Sequence, residues 1–400
     1  MNQTEKNVIE ILKEVFSGRP AEISRNIDSD AVCKEMISQS VYTIAYSWLK
    51  DHNYTHSKSL SSGAEAQQIL RQTSKWFYMM DEQQNLVELL TNAGHSFAVM
   101  KGSANAALYP VPELRKSGDI DLLVRAEEYD AIRKELIQNG YSLKGDLDPG
   151  KHHYEMTKKG IIVEVHKRPG GIYREETENN RILIDYFQEG LNTIEWVKLY
   201  DYSFPVLPKP HNGLMLLLHT AQHMSTTGIG LRHLLDWAVF ADRYLTDEFW
   251  KSDFESVAKR ANLDVLAQVL TRTCELYLGL NGELNWCKCA DQKLCDETIE
   301  YFIEQGEFGN KSKDRVSRII VENRTLIDFL KYFDQSSLYS LPLASKFPLL
   351  RPVAWIYQLL RYVRYVVKMI MNKKPYSTMN QSISAGIHKR DLLDRLKINV

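Results

Sequence analysis

Neither sign of charge is in excess in this sequence. Lys and Arg number 50 and Asp and Glu 51, a formal net charge of −1. No global field therefore draws the protein to nucleic acid or to a membrane, and any such binding must come from a local patch. Cysteine is scarce as well. The five residues Cys33, Cys274, Cys287, Cys289 and Cys295 are odd in number and sparse, which excludes a disulfide scaffold and fits a reducing compartment. Cys287, Cys289 and Cys295 are spaced C-x-C-x5-C with no CxxC and no nearby His, a pattern that reads as free thiols rather than zinc ligands. No long uncharged apolar run occurs, so no membrane-spanning helix is expected. Residues 1–14 mix charged and apolar residues without the apolar stretch of a signal peptide, and the expected location is cytoplasmic. Internal repeats and low-complexity tracts are also missing.

What is there is ordinary for a folded protein: 400 residues, 44% hydrophobic and 25% charged. At about 150 residues per domain this length suggests two or three domains. Residues 1–95 read as helical, with Val8, Ile9, Ile11, Leu12, Val15 and Phe16 at helical spacing. The texture changes at Ser96. Phe97–Met100 is a short apolar run ending in Lys101-Gly102-Ser103, read as a strand turning into a helix at about 104–108. A second strand is expected at 119–124, then an amphipathic helix at 127–139 with Gly140 at its end. A hairpin of two alternating runs, 152–157 and 161–166, turns at Lys158-Lys159-Gly160. Beyond Asn212 the chain reads as helical again, at 214–224, 231–245, 263–280, 291–305 and 318–333, with a final helix at about 353–371. The fold class is α+β. The expected parts are a helical region at 1–95, a mixed-sheet catalytic domain at 96–208, a helical domain at 209–345 that completes a cleft, and a basic amphipathic helix with a polar, loosely attached tail at 346–400.

The chemistry concentrates in the sheet. Asp119 and Asp121 are two apart in a strand, so both carboxylates face the same side while Ile120 and Leu122 face the other. Paired like charges are costly unless a cation neutralises them, and hard oxygen ligands suit Mg²⁺ or Mn²⁺. Taken alone, such a D-x-D reads more readily as an exposed strand end with two solvated aspartates. Glu164, set between Val163 and Val165, supplies a third carboxylate that a neighbouring strand can bring alongside. Upstream, Gly102 and Ser103 end one strand and open a helix, where backbone N–H groups and a hydroxyl can hold phosphate oxygens. Lys101 and Arg115 offer cations in the same stretch, unless Arg115 pairs with a surface carboxylate such as Glu113.

These segments together — Met100-Lys101-Gly102-Ser103, Leu108-Tyr109-Pro110, Arg115, Gly118-Asp119-Ile120-Asp121-Leu122-Leu123-Val124, Gly140-Tyr141 and Val163-Glu164-Val165-His166 — resemble the nucleotidyltransferase superfamily that includes DNA polymerase beta. More narrowly, they are similar to a bacterial branch of uncharacterised nucleotidyltransferases. The resemblance covers about residues 95–245. It implies a polymerase-beta-like mixed sheet flanked by helical regions, with Gly102 and Ser103 on the triphosphate and Asp119, Asp121 and Glu164 on two metal ions. It also implies transfer of a nucleoside monophosphate from a nucleoside triphosphate such as ATP to an acceptor hydroxyl or phosphate, with release of pyrophosphate. The same scaffold also serves a nucleotide-dependent phosphotransferase or a silent nucleotide-binding module. Fifteen residues separate Ser103 from Asp119, a longer gap than many superfamily members show.

Secondary signals surround this set. His166, two residues beyond Glu164 on the same face, is expected at substrate phosphate or beside the metals; His152 and His153 fall on the hairpin. His219 and His223 are four apart on a helix and share a face, either lining the cleft or lying on a polar surface. They lack the Glu of H-E-x-x-H, which weakens a zinc reading. The branch tends to carry this H-x3-H helix and a following helix like 231–237, which implies cleft positions for His219, Arg232 and Asp236. Helix 353–371 carries Arg361, Arg364 and Lys368 on one face, followed by Lys373 and Lys374. It is read as a domain-packing helix with a solvated basic stripe or as a peripheral contact with an anionic membrane. No basic-aromatic track marks a nucleic-acid partner, and the acceptor is left open among a small molecule, a sugar, a peptide and a protein.

Overall fold

The computed structural model describes residues 1–23, 27–52, 54, 64–145, 152–170, 172, 178–280, 284–311, 330, 333–334, 336–338, 340–341, 343–371 and 376–398. It divides into two compact units, Met1–Ser312 and Lys313–Val400. The first is built on a seven-stranded mixed sheet in the order β3-β4-β5-β2-β1-β7-β6. The strands are β1 (Phe97–Met100), β2 (Ile120–Val124), β3 (Ser142–Lys144), β4 (His153–Lys158), β5 (Ile161–His166), β6 (Glu195–Leu199) and β7 (Tyr202–Val206). β1 pairs antiparallel with β2 and parallel with β7, while β2 pairs parallel with β5. The fold is α+β, with helices before, within and after the sheet.

Local sequence explains the strands that were expected. β1 and β2 are buried at every position, as strands in the middle of a sheet should be, and Asp121 is the one charged residue among them. In β5 Ile161, Val163 and Val165 are buried while Ile162 and Glu164 are half-buried, the period-two signature of a strand with a core face and a wetter face. The β4–β5 hairpin turns on Lys159 (φ 52°) and Gly160 (φ 80°), two consecutive left-handed residues, as a tight two-residue hairpin turn requires. Helix α4 (Ala64–Asn92), the fourth after α1 (Gln3–Ser17), α2 (Ser29–Ser38) and α3 (Tyr46–Asp51), contributes Trp76, Met79, Met80, Leu86, Val87 and Leu90 to the sheet's core. Ile132 and Leu136 of α6 (Tyr129–Gln138) join the same cluster.

Several boundaries differ from the sequence expectation. Helix α5 spans Gly102–Ala106 and so starts at the glycine itself. β2 begins at Ile120, so Asp119 precedes the strand. Strands β3, β6 and β7 and helix α7 (Glu178–Gly190) were not expected. The tail, expected to be loose, forms a helix at Tyr376–Arg395, and Leu392, Leu393, Leu396 and Ile398 are buried. Of the expected helix 318–333, most lies outside the described residues, as do Lys373, Lys374 and the side chain of Lys368. Helix Arg351–Met371 leaves Trp355, Ile356, Leu359, Leu360 and Val363 exposed and buries Ala354 and Gln358. No helix among the described residues is long and apolar enough to cross a membrane. All five cysteines are free thiols.

After the sheet, α8 (Lys209–Ser225) and α9 (Leu231–Tyr244) are followed by helices Asp264–Leu278 and Gln292–Gln305. Two loops meet here without room for side chains. Gly228 (φ +92°) would bring a Cβ to 2.6 Å from Gly309 Cα, and Gly309 (φ +65°) would bring one to 2.3 Å from the Thr227 carbonyl oxygen. This contact seats the segment carrying Glu307 and Phe308 against the loop after α8. Gly309→Ala should therefore destabilise the first unit by about 1–3 kcal/mol, through backbone overpacking and the left-handed φ. A lowered midpoint in chemical denaturation checks this, and an unchanged midpoint would refute the close packing.

Candidate active site

Three neighbouring strands aim their polar side chains at one place. The parallel pairing of β2 with β5 sets Asp121 opposite Glu164, and His166 follows two residues later on the same face as Glu164. Lys101 directly follows β1, held at φ 51° and ψ −120°, a conformation costly for a residue with a long side chain. From this bend its ammonium reaches Asp121, with Nζ 2.9 Å from Oδ1. His166 Nε2 lies 2.9 Å from the same oxygen and 3.2 Å from Glu164 Oε2. Both neighbours are acceptors, so Nε2 carries the proton and donates to them.

The result is a cleft of about 350 Å³, within the usual range for small-ligand sites. Lys101, Gly102, Asp119, Asp121, Glu164 and His166 line it, together with His219, His223 and Arg232 from α8 and α9. The carboxylates are not electrostatically alike. Burial alone would raise Asp121, but Lys101 and His166 outweigh it and hold its carboxyl well below the usual range. Asp119 is pushed up to about 6, by burial first and then by the charges of Asp121 and Glu164. Burial opposes protonation of His166, yet its hydrogen bonds to Asp121 and Glu164 prevail and raise its pKa. The histidines of the helical wall go the other way: burial and then neighbouring cations and imidazoles depress His219 and His223, the latter to about 3.

The structure does not bring every expected residue to the cleft in a free state. Ser103 is buried, and its hydroxyl donates to Gln83 Oε1 at 2.6 Å in the interior. Arg115 lines the cleft, but its guanidinium is engaged. Nε and Nη2 form a fork onto Asp236 at 2.9 and 2.6 Å, and Nη1 donates to the Gly102 carbonyl at 3.2 Å and to Ser117 Oγ at 2.9 Å. Its partner is thus Asp236 rather than Glu113. Asp236 is not among the residues lining the cleft; it is buried and also accepts from Tyr109 at 2.8 Å. Arg232 reaches the cleft while bound to Glu307 Oε1 at 2.5 Å. Arg115 and Asp236 therefore tie the Gly102 turn to α9.

Sequence reasoning missed Lys116, Ser117, Gln222, Glu307 and Phe308, all of which line the cleft. The first two follow Arg115 directly. The last two come from a segment more than a hundred residues downstream, with no motif to mark it.

A mixed sheet bearing clustered carboxylates beside a strand-glycine-helix turn defines a nucleotidyltransferase domain. The chain belongs to the family described as uncharacterised nucleotidyltransferase, whose pattern it matches over residues 25–279. This span takes in the whole sheet and α8 and α9. No curated protein matches the chain.

The unequal carboxylates predict a stability effect with a definite sign. A raised folded-state pKa means that ionised Asp119 destabilises the fold, a cost absent below pH 3.8 and complete above about 6. Asp119→Asn should stabilise the metal-free protein at pH 7.5 by about 1–2 kcal/mol and leave it nearly unchanged at pH 4. Asp121→Asn should destabilise it at neutral pH, because Lys101 then lacks its counter-charge. Thermal unfolding of both variants at the two pH values tests this. Equal shifts for the two at neutral pH would contradict the asymmetry.

Proposed function

We propose that this chain transfers a nucleoside monophosphate from a nucleoside triphosphate to an acceptor hydroxyl or phosphate, using Mg²⁺ or Mn²⁺ and releasing pyrophosphate. The observation that carries this reading is the in-register placement of Asp121 and Glu164 on adjacent parallel strands, with Asp119 lining the same cleft. The donor set fits a hard divalent cation: Asp121 and Glu164 stand together beside His166, and Asp119, raised by burial and then by these two charges, lines the same cleft. Asp119, Asp121 and Glu164 would hold the metal, with His166 keeping Asp121 and Glu164 oriented. When bound, Mg²⁺ neutralises triphosphate charge and lowers the pKa of an acceptor hydroxyl.

The protein's own groups do the rest. Lys101 stands where it can exchange its partner Asp121 for a phosphate oxygen, and exposed Lys116 adds a second cation at the cleft wall. The Gly102 turn, braced by Arg115, gives the phosphates close access to backbone. Glu164, on the side of the half-buried strand face, is nearest the incoming acceptor oxygen. That oxygen attacks the α-phosphorus, the bond to the β-phosphate oxygen breaks, and pyrophosphate carries away the electron pair. Positioning and charge neutralisation carry the acceleration, and no protein nucleophile is needed. The cleft volume and the balanced net charge favour a small molecule, sugar, peptide or protein end as acceptor over nucleic acid.

The test uses purified protein, Mg²⁺ and triphosphates labelled in parallel at the α- and the γ-phosphate, with acceptor supplied as fractionated cell extract. α-Label should move to acceptor and γ-label should leave as pyrophosphate. Transfer of γ-label would establish a phosphotransferase and overturn the reading. Glu164→Gln should reduce turnover far more than triphosphate affinity. Lys101→Ala should lower kcat/KM by about one to two decades, as for one charge-assisted contact of roughly 1.5–3 kcal/mol. Ser103→Ala should leave kcat/KM nearly unchanged, since its hydroxyl already serves Gln83.

A further inference from the structure

The helical wall of the cleft carries a second constellation that nucleotidyl transfer does not use. His219 and His223 lie one turn apart on α8, and His233 comes from the first turn of α9. One ligand atom from each imidazole lies within 4.8 Å of the others. The ring centroids are 4.4, 4.9 and 5.1 Å apart, so the three rings converge. His223 Nε2 and His219 Nε2 face each other at 2.9 Å.

We propose that His219, His223 and His233 bind one divalent cation of the Zn²⁺ class, at a site separate from the carboxylates and with an open position toward the cleft. Three neutral imidazoles with one position left for water or substrate is a recurrent arrangement for such metals, whereas Mg²⁺ requires oxygen ligands. With metal–nitrogen bonds of about 2.0–2.1 Å, tetrahedral ligand atoms lie about 3.3 Å apart. The 2.9 Å contact therefore needs to open by only a few tenths of an ångström.

The surroundings of the rings are those of held ligands. His223 Nδ1 is 2.7 Å from Thr227 Oγ1; when Nδ1 donates to it, the Nε2 lone pair faces His219. His233 Nδ1 is 3.5 Å from Glu307 Oε2, and neither atom has a closer hydrogen-bond partner among the described residues. A carboxylate behind the far nitrogen is the usual support for a metal-binding imidazole. Arg232 Nη2 lies 3.4 Å from His233 Nε2, a long contact that a metal would displace, and Glu307 and Asp236, within 2.5 and 3.5 Å of the guanidinium, hold it and offset its charge. His219 and His223 line the cleft while His233 is buried, so an open coordination position faces the substrates. A metal there would take an oxygen of the acceptor, and the same protein would hold a hard cation on its sheet and a softer one on its helices.

The experiment titrates the metal-free full-length protein with Co²⁺ in excess Mg²⁺, following visible absorption and bound metal by equilibrium dialysis. One equivalent should bind with the intense absorption of four-coordinate Co²⁺ and be displaced by Zn²⁺. His223→Ala should abolish stoichiometric uptake, and Thr227→Ala should weaken it by about tenfold, the lower end of the effect of removing an outer partner. Asp119→Asn and His152→Ala should retain it. Failure of the wild-type protein to bind Co²⁺, or equal uptake by His223→Ala, would overturn the proposal. So would loss of uptake in Asp119→Asn or His152→Ala with retention in His223→Ala, which would place the metal at the carboxylates or at the hairpin histidines. Because these readouts need neither nucleotide nor acceptor, they stand or fall apart from the transfer reaction.

Discussion

Asp121 is buried in the central strand of a seven-stranded sheet, with only 3% of its surface exposed, and an ionised carboxylate there must be met by positive charge. Lys101 supplies it, and His166 donates a hydrogen bond to the same oxygen. Meeting that demand shapes much of what surrounds it. Lys101 adopts a left-handed φ so that its ammonium can turn back onto β2, and α5 begins immediately beyond that bend. His166 is fixed with its proton toward the two carboxylates. The β2–β5 register puts Glu164 within reach of the same imidazole. Asp119, outside this arrangement, carries the unrelieved part of the negative charge. The metal-free protein thus holds a cleft in which the Lys101 ammonium, with the His166 N–H beside it, partly fills the role proposed for the metal.

A second buried ion pair ties the walls of the cleft together. Arg115 and Asp236 are 121 residues apart in sequence and both almost fully buried. Breaking such a pair leaves an uncompensated buried charge, costing about 3–5 kcal/mol, whereas forming it adds little beyond a hydrophobic contact. Its contribution is therefore positional. By donating to the Gly102 carbonyl, Arg115 couples the turn beside the carboxylates to the helix that carries Arg232 and His233. A phosphate-binding role for Arg115 would require breaking the fork to Asp236.

Asp119 precedes β2 and lines the cleft without the strand alternation expected for it, whereas the strand positions of Asp121 and Glu164 were legible in the sequence because apolar neighbours mark the strands locally. The same holds for the β4–β5 hairpin and for the pairing of His219 with His223. Side-chain destinations were less legible. Ser103 follows the glycine of a strand-to-helix turn, yet its hydroxyl turns to Gln83 on α4, a partner that no spacing reveals. Arg115 precedes the D-x-D strand, but its true partner lies on α9. The missed strands have physical reasons. β3 has three residues, β6 is largely exposed, and β7 contains Pro205, which lacks the N–H of an ordinary strand residue. Glu307 and Phe308 reach the cleft only because Gly228 and Gly309 let two loops touch, a tertiary fact without a local sequence signature.

The account rests on Asp119, Asp121 and Glu164 sharing a divalent cation with the triphosphate. A crystal structure of the protein with Mn²⁺ and a non-hydrolysable nucleoside triphosphate, phased to show the anomalous signal of manganese, tests this most directly. The account predicts manganese bound by these carboxylates and by triphosphate oxygens, with the ammonium of Lys101 moved from Asp121 to phosphate. Manganese bound elsewhere, or a nucleotide lying outside the cleft with the Lys101–Asp121 pair intact, would contradict it.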